Sequence, residues 1–482
     1  MKFIGKISLN DEKYKFCNIT YKLIFLFVIH LLCKENFLWL NQVAKFCIKI
    51  IWKIFPIDYY LYNNWKYIST LYDITIKMEL VNRETYVKQL IEWKDHDVIK
   101  VITWIRRSWK STLFELYINY LKTHWVKEDQ IIFLNFENPL YSNASYLEVY
   151  KLITEKIDEN QKYYVFLDEI QNIKDFQKTV DGLYIIKNID VYITWSNAFL
   201  LSWELATLLS WRYIEIKMLP LSFSEYCSAF DTDNYQKLFL EYLKNWWMPW
   251  VLPILKTHPQ WLPIYFEDII STIVQKDVME RLTTASKPVL NSILLFLADS
   301  IWSPISTKKI SDTLTSKWLP ISNHTVEKYI QAYKDSYILY KAERFNLKGK
   351  NLLVRDWKWY MPDTWIRNAL IGKRMANDTW HLLENIVYFE LLRRWYNVSI
   401  WKIGDLEIDF IAEKRDEIHY YQVALSVREK NVLERELRPL QNTWDFYPKT
   451  LLTADIDLDA DYNWIEQQNV INWLLWKKWW EI

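Results

Sequence analysis

The strongest constraint on this chain is a residue it almost lacks. Glycine makes up about 7% of ordinary proteins, which predicts roughly 34 in a chain of this length. The 482 residues hold 5 glycines and 28 tryptophans, and the two counts pool to 33. Tight turns, phosphate-binding loops and helix C-termini need residues that accept positive φ, and an indole side chain does not accept it cheaply. Either the fold is unusually rich in tryptophan, or most of these tryptophans stand where the gene specifies glycine. Some bacterial lineages read UGA as glycine, and a table that reads UGA as tryptophan produces this exchange. Position must decide between the two.

From Met78 onward, short apolar runs alternate with helix-length segments. Val98–Thr103, Ile131–Phe136, Tyr163–Leu167, Val191–Thr194 and Tyr213–Met218 read as buried strands, and Lys110–Leu121 as an amphipathic helix. Strand–helix alternation predicts an α/β class, with a parallel sheet covered by helices on both faces. Residues from about Phe223 to Lys287 read as mostly helical, 288–345 as three helices and an apolar stretch at Tyr337–Tyr340, and 346–482 as mixed α and β.

After the first strand comes Trp104-Ile105-Arg106-Arg107-Ser108-Trp109-Lys110-Ser111-Thr112. With both tryptophans read as glycine it is G-x-x-x-x-G-K-S at a strand-to-helix junction, the context of a Walker A loop. The spacing has a physical reason. Backbone N–H groups must wrap a β-phosphate closely, and the helix N-terminus adds its dipole. On this reading Lys110 contacts the β- and γ-phosphates of ATP, and Ser111 holds Mg²⁺. The third strand ends in Asp168-Glu169 (Walker B, residues 165–169), where Asp168 completes the Mg²⁺ shell and Glu169 polarises the attacking water. The alternative is a strand ending in a solvated acidic turn. The fourth strand runs into Thr194-Trp195-Ser196-Asn197, so Ser196 or Asn197 is expected beside the γ-phosphate. Arg212 reads equally well as a phosphate-facing arginine or a surface ion-pair partner.

A net charge of +1 gives no compositional case for a polybasic nucleic-acid or membrane binder. Four cysteines without framework spacing exclude a disulfide scaffold or Cys/His zinc module and point to a reducing, cytoplasmic home. The histidines, such as His96, His124, His324, His381 and His419, show no ligand spacing. Residues 1–77 differ in character: they hold Cys17, Cys33 and Cys47, and their longest apolar run, Tyr21–Cys33, falls short of the roughly 20 residues of a spanning helix. We expect this segment to precede the true start at Met78, with a membrane anchor or an extra soluble segment as alternatives.

The run Leu201-Ser202-Trp203-Glu204-Leu205 through Leu209-Ser210-Trp211-Arg212-Tyr213, then Leu219-Pro220-Leu221-Ser222-Phe223-Ser224-Glu225, resembles AAA+-type P-loop ATPases of bacteria and archaea that carry a C-terminal domain of unknown function. That family has glycine where tryptophan sits in this run. The resemblance continues through Asn245-Trp246-Trp247-Met248-Pro249-Trp250, Pro362-Asp363-Thr364-Trp365, Leu383-Glu384-Asn385 and Glu407-Ile408-Asp409-Phe410. It implies an ATPase domain at 78–225, a helical and winged-helix region at 226–345, and a nuclease-like domain at 346–482. Within the second, residues 305–340 resemble a winged helix whose polar face carries Lys328 and Lys334. The third resembles a restriction-endonuclease-like core. Glu384, Asp409 and Gln422 match its acidic and amide positions, but Ala424 stands where such nucleases have lysine, so we expect no cleavage. Trp473 reads as a genuine core tryptophan.

The expected function is therefore ATP binding and hydrolysis, coupled to DNA, to a protein partner or to a homo-oligomer, with no membrane. The competing expectation is a nucleotide-independent DNA-binding protein or relic nuclease with a degenerate P-loop.

Overall fold

The computed structural model describes residues 81–476 apart from 82, 104–109, 196–211, 245–253, 255–257, 263–268, 273, 275–277, 280–281, 283–285, 302–304, 346–356, 372–378, 404–405, 416, 444 and 457–459. The chain divides into two units, Met1–Asp73 and Ile74–Ile482, and every described residue belongs to the second.

The first half is a parallel sheet. Helix α1 (Glu84–Glu92) leads into β1 (Ile99–Thr103), α2 (Lys110–Thr123), β2 (Ile131–Asn135), α3 (Tyr146–Thr154), β3 (Tyr163–Asp168), α4 (Phe176–Tyr184), β4 (Ile189–Trp195) and β5 (Tyr213–Lys217). The strand order is β2-β3-β4-β1-β5, and every neighbour pair is parallel. Parallel neighbours require a crossover, and the intervening helices supply it. Both faces are buried, which explains why the strands read as nearly continuous apolar runs. Ile99, Val101, Val165, Leu167, Val191 and Ile193 face one cluster with Val149, Val180 and Leu183 from α3 and α4. Ile102, Phe166, Tyr192 and Ile216 face the other with Leu90, Leu113, Phe114 and Tyr117 from α1 and α2. The lysine in β1 is compatible with this because the Lys100 ammonium meets Asp190 Oδ1 at 2.5 Å inside the core. This is the P-loop NTPase fold, an α/β architecture as expected.

Beyond the sheet follow α5 (Phe223–Ser228), α6 (Tyr235–Lys244), α7 (Lys287–Asp299), α8 (Thr307–Ser316) and α9 (Asn323–Asp335). Their starts are local: Ser222, Ser306 and Ser322 each cap a helix through a side-chain oxygen, and Ser222 forms a capping box with Glu225. A mixed eight-stranded sheet comes next, ordered β12-β13-β11-β10-β9-β8-β6-β7. It is built from β6 (Tyr340–Arg344), β7 (Lys358–Tyr360), β8 (Asn397–Ile403), β9 (Leu406–Lys414), β10 (Glu417–Ala424), β11 (Lys449–Thr453), β12 (Ala460–Asp461) and β13 (Ile465–Asn469). Helices α10 (Thr364–Ile371), α11 (Thr379–Arg393), α12 (Lys430–Gln441) and α13 (Val470–Leu474) interleave with these strands. Packing does not break at 345/346: β6 pairs with β7, and one apolar cluster runs from Leu290 and Tyr333 through Tyr360 and Val387 to Phe410 and Leu474.

Several tryptophans occupy backbone positions that suit glycine. Trp125, Trp318, Trp395, Trp464 and Trp476 have φ between 58° and 71°. Trp125, Trp318 and Trp395 follow helix ends closed by Schellman-type bonds: Val126 N donates to Leu121 O, Leu319 N to Leu314 O and Tyr396 N to Leu391 O. Asn463-Trp464 forms a two-residue hairpin turn with φ of 54° and 70°, in which Tyr462 and Ile465 exchange backbone hydrogen bonds. Asn-Gly is the preferred pair for that turn. Trp125, Trp318 and Trp464 are at least 90% exposed, so no packing compensates the strain. Trp473 is different. It is buried, its ring meets Tyr421 edge-on, and Arg394 stacks on it at 3.9 Å.

Candidate functional site

In an open parallel sheet, ligands bind beyond the carboxyl ends of the strands, where the strand order reverses. Here that place is the end of β1, flanked by β4 and β5. The register brings together the last residues of all five strands. Thr103 pairs with Trp195 and Lys217, and Asp168 pairs with Asn135.

Around Asp168 the contacts are short and polar. Thr194 Oγ1 donates to Asp168 Oδ1 at 2.5 Å, and Asn135 Nδ2 donates to Oδ2 at 3.0 Å. The same Thr194 hydroxyl accepts from Glu169 N at 2.8 Å. Glu169 adopts a left-handed backbone (φ 55°), and the Gln171 amide donates to its Oε2. Both carboxylates are at least 95% buried. Strain of this kind in a non-glycine residue costs about 1–3 kcal/mol and is concentrated where geometry matters more than stability.

The loop 104–109 that should face this cluster, with Trp104, Ile105, Arg106, Arg107, Ser108 and Trp109, lies outside the described residues, as do Ser196 and Asn197. Lys110 and Ser111 open α2, the next element after β1 and the loop 104–109, though their side chains are outside the described set. Thr112 is half-buried in the same first turn. The donor chemistry fits Mg²⁺, since Asp168 is a hard carboxylate oriented by Thr194 and Asn135.

Two residues of this cluster had no role in the sequence reading, Thr194 and Asn135. Each is a polar residue near the carboxyl end of a mostly apolar strand, and that pattern would have found them. At the end of β1, Thr103 Oγ1 donates to Glu215 Oε1 at 2.7 Å, and Tyr337 OH donates to the same oxygen at 3.2 Å. Tyr337 follows α9 with φ 58°, so a residue in a glycine-like position reaches the base of the loop. Arg212 resolves toward the surface alternative. Its carbonyl accepts from Ile99 N at 2.8 Å, which puts it at the amino end of the sheet, and its guanidinium lies 5.3 Å from the Tyr184 ring. On α9, Lys328 is exposed, whereas Lys334 is half-buried, and burial lowers its pKa.

The second group of expected site residues also converges. Glu384 comes from α11, Asp409 from β9 and Gln422 from β10. Asp409 N donates to Gln422 Oε1 at 3.3 Å, Val423 N donates to Asp409 Oδ2 at 2.9 Å, and Gln422 Nε2 donates to Glu436 Oε2 at 2.9 Å. Ala424 is buried on β10 and brings no charge. A lysine is nevertheless present, from β7. Lys358 Nζ lies 3.0 Å from Glu384 Oε1, 2.5 Å from Glu407 Oε1 and 3.8 Å from Asp409 Oδ1. Burial alone would lower its pKa, but these carboxylates outweigh it and raise it. Burial, with Glu384 nearby, pushes the Asp409 carboxyl well above the usual range. Among the described residues, no group of three or more His, Cys, Asp or Glu side chains is arranged to hold a metal ion, and no helix is long and apolar enough to cross a membrane.

The fold of the first half is that of a P-loop NTPase. A family model described as AAA domain matches residues 96–227, and one described as a domain of unknown function (DUF8612) matches 237–377. An uncharacterized protein of Haemophilus influenzae is 40% identical over 406 residues, 82% of this chain and 99% of that protein. The chain belongs to the same family as that protein. Uncharacterized protein MJ1544 of Methanocaldococcus jannaschii is 27% identical over 384 residues, 76% of this chain and 82% of that protein. A solved structure of the Aeropyrum pernix ORC1 protein in complex with DNA covers 60% of this chain and 92% of its own at 14% identity and a TM-score of 0.29, too loose a likeness to speak to function.

Proposed function

We propose that this chain binds Mg·ATP at the carboxyl end of its parallel sheet and hydrolyses it. The observation that carries the reading is the Asp168–Thr194–Glu169 arrangement. One buried hydroxyl fixes both a carboxylate suited to a cation and the backbone of a carboxylate suited to orienting water. In this account the N–H groups of residues 104–111 wrap the phosphates, Lys110 contacts the β- and γ-phosphates, and Ser111 and Asp168 hold Mg²⁺. Glu169 orients the attacking water, and Ser196 or Asn197 reads the γ-phosphate. Bound Mg²⁺ neutralises charge on the phosphates.

The reading requires glycine at 104 and 109, because indoles there would keep phosphate from the backbone. The left-handed, exposed tryptophans at 125, 318 and 464 support the same exchange elsewhere in the chain, independently of the loop. The chain Thr103–Glu215–Tyr337 offers a path from the nucleotide to the α7–α9 segment. Three helices followed by β6 and β7, with a bridge from Ile305 to Trp357, support a winged-helix reading of that segment. We infer that nucleotide state is passed through it to DNA or a protein partner.

Equilibrium binding of Mg·ATP tests the reading on three proteins: the sequence as written, the Trp104→Gly/Trp109→Gly form, and that form with Lys110→Ala. The glycine form alone should bind and turn over ATP. A correctly folded glycine form that ignores nucleotide would refute the proposal.

A further inference from the structure

A restriction-endonuclease-like site implies a divalent cation held between the acidic residues, and the residues present here do not fit one. Several of the oxygens a metal would need are committed, while Glu384 Oε2 is buried without a hydrogen-bond partner and Asp409 Oδ1 has the Lys358 ammonium 3.8 Å away. Glu384 Oε1 takes both Lys358 Nζ and Tyr360 OH (2.7 Å), Asp409 Oδ2 takes Val423 N, and Glu407 Oε1 takes Lys358 at 2.5 Å. Gln422 is held on both sides of its amide, by Asp409 N and Glu436. The ammonium lies among the three carboxylates a metal would bridge, and two cations cannot share that space without strong repulsion. Nor is Lys358 a surface side chain free to swing away. It is 3% exposed, and its strand is anchored by pairing of Lys358 with Ala342.

We propose that Lys358 is the resident cation of this site. The cluster is a metal-independent clasp that fastens β7 to α11 and β9, and it does not cleave nucleic acid. The position of the lysine explains why it escapes a search by spacing: it precedes Glu384 in sequence, whereas the expected lysine position, Ala424, follows Gln422.

The test is thermal unfolding of the full chain without nucleotide, in EDTA and in Mn²⁺. Wild type should unfold at the same temperature in both. Lys358→Met leaves buried carboxylates without a counter-charge, so its Tm should fall by roughly 10 °C in EDTA. Mn²⁺ should restore most of that loss, and adding Asp409→Asn should remove the metal response. Lys358→Arg, which keeps a cation, should stay indifferent to metal. Should Lys358→Met alone fail to fold in EDTA, the pair Lys358→Met/Glu384→Gln serves as a second measure. Removing the cation with its neighbouring carboxylate should recover several degrees. A wild type stabilised by Mn²⁺ through Asp409, or a Lys358→Met chain that never responds to Mn²⁺, would overturn the proposal. So would a double variant no more stable than the single one. None of these outcomes depends on whether the first sheet binds ATP.

Discussion

Asp168 ends β3 and Asp409 lies within β9; both are buried carboxylates, yet their neighbours differ in kind. A hydroxyl and an amide orient Asp168, each through one of its carboxylate oxygens. Asp409 sits with Glu384 and Glu407 around an ammonium, so the charge is met from within the chain. Neutral donors prepare a site for a ligand, and a buried counter-ion closes one. On the proposed function, one molecule carries two acidic constellations and uses only the first of them for chemistry.

Breaking the open site should have the largest effect. In the glycine-restored protein, Lys110→Ala should reduce ATP turnover by at least about 10³-fold, read as phosphate release. Glu169→Gln should lower turnover by about 10²–10⁴-fold while Mg·ATP still binds, which separates water activation from binding. Thr194→Val removes the hydroxyl shared by Asp168 and Glu169. It should cost about 1–3 kcal/mol in denaturant unfolding and weaken Mg²⁺-dependent binding. If Thr194→Val affects stability alone, the hydroxyl only packs, and the contrast between the two clusters loses its meaning.

Smaller effects sharpen the comparison on the closed side. Burial lowers the His419 pKa to about 4, while its Nε2 meets Thr450 Oγ1 at 2.8 Å. A histidine with a depressed folded pKa binds fewer protons than its unfolded counterpart, whose pKa is about 6.5. Its stabilisation is therefore present above about pH 6.5 and lost as pH falls toward 4, by about 1–3 kcal/mol. His419→Gln should flatten that part of the stability profile measured by urea unfolding. Least of all, Trp125→Gly, Trp318→Gly and Trp464→Gly should each stabilise the fold by about 1 kcal/mol, by relieving left-handed backbone strain. Trp473→Gly should instead destabilise it by several kcal/mol, through loss of a packed ring.

Much of the first sheet was legible because a fully buried parallel strand is an apolar run, and each expected run from Val98 to Met218 overlaps a strand. Asp168 and Glu169 were legible for the same reason, as charges that end such a run. Thr194 is less legible, because a phosphate-reading residue is expected after the strand, whereas the strand's own last polar residue is the one that reaches Asp168. Lys358 could not be found by spacing. The fold brings it to Glu384 and Asp409 through the pairing of β7 with β6 and of β6 with β8, and those contacts are remote in sequence. Arg212 shows the same limit. Only strand register tells which end of the sheet it occupies.

The account rests on the identity of two residues in the loop after β1. Peptide mass spectrometry of the protein purified from its own cells, covering residues 100–112, measures it directly. Glycine at 104 and 109 is the predicted result, with tryptophan retained at 473. Intact indole at both loop positions would contradict the account, because the phosphate cradle could not then form.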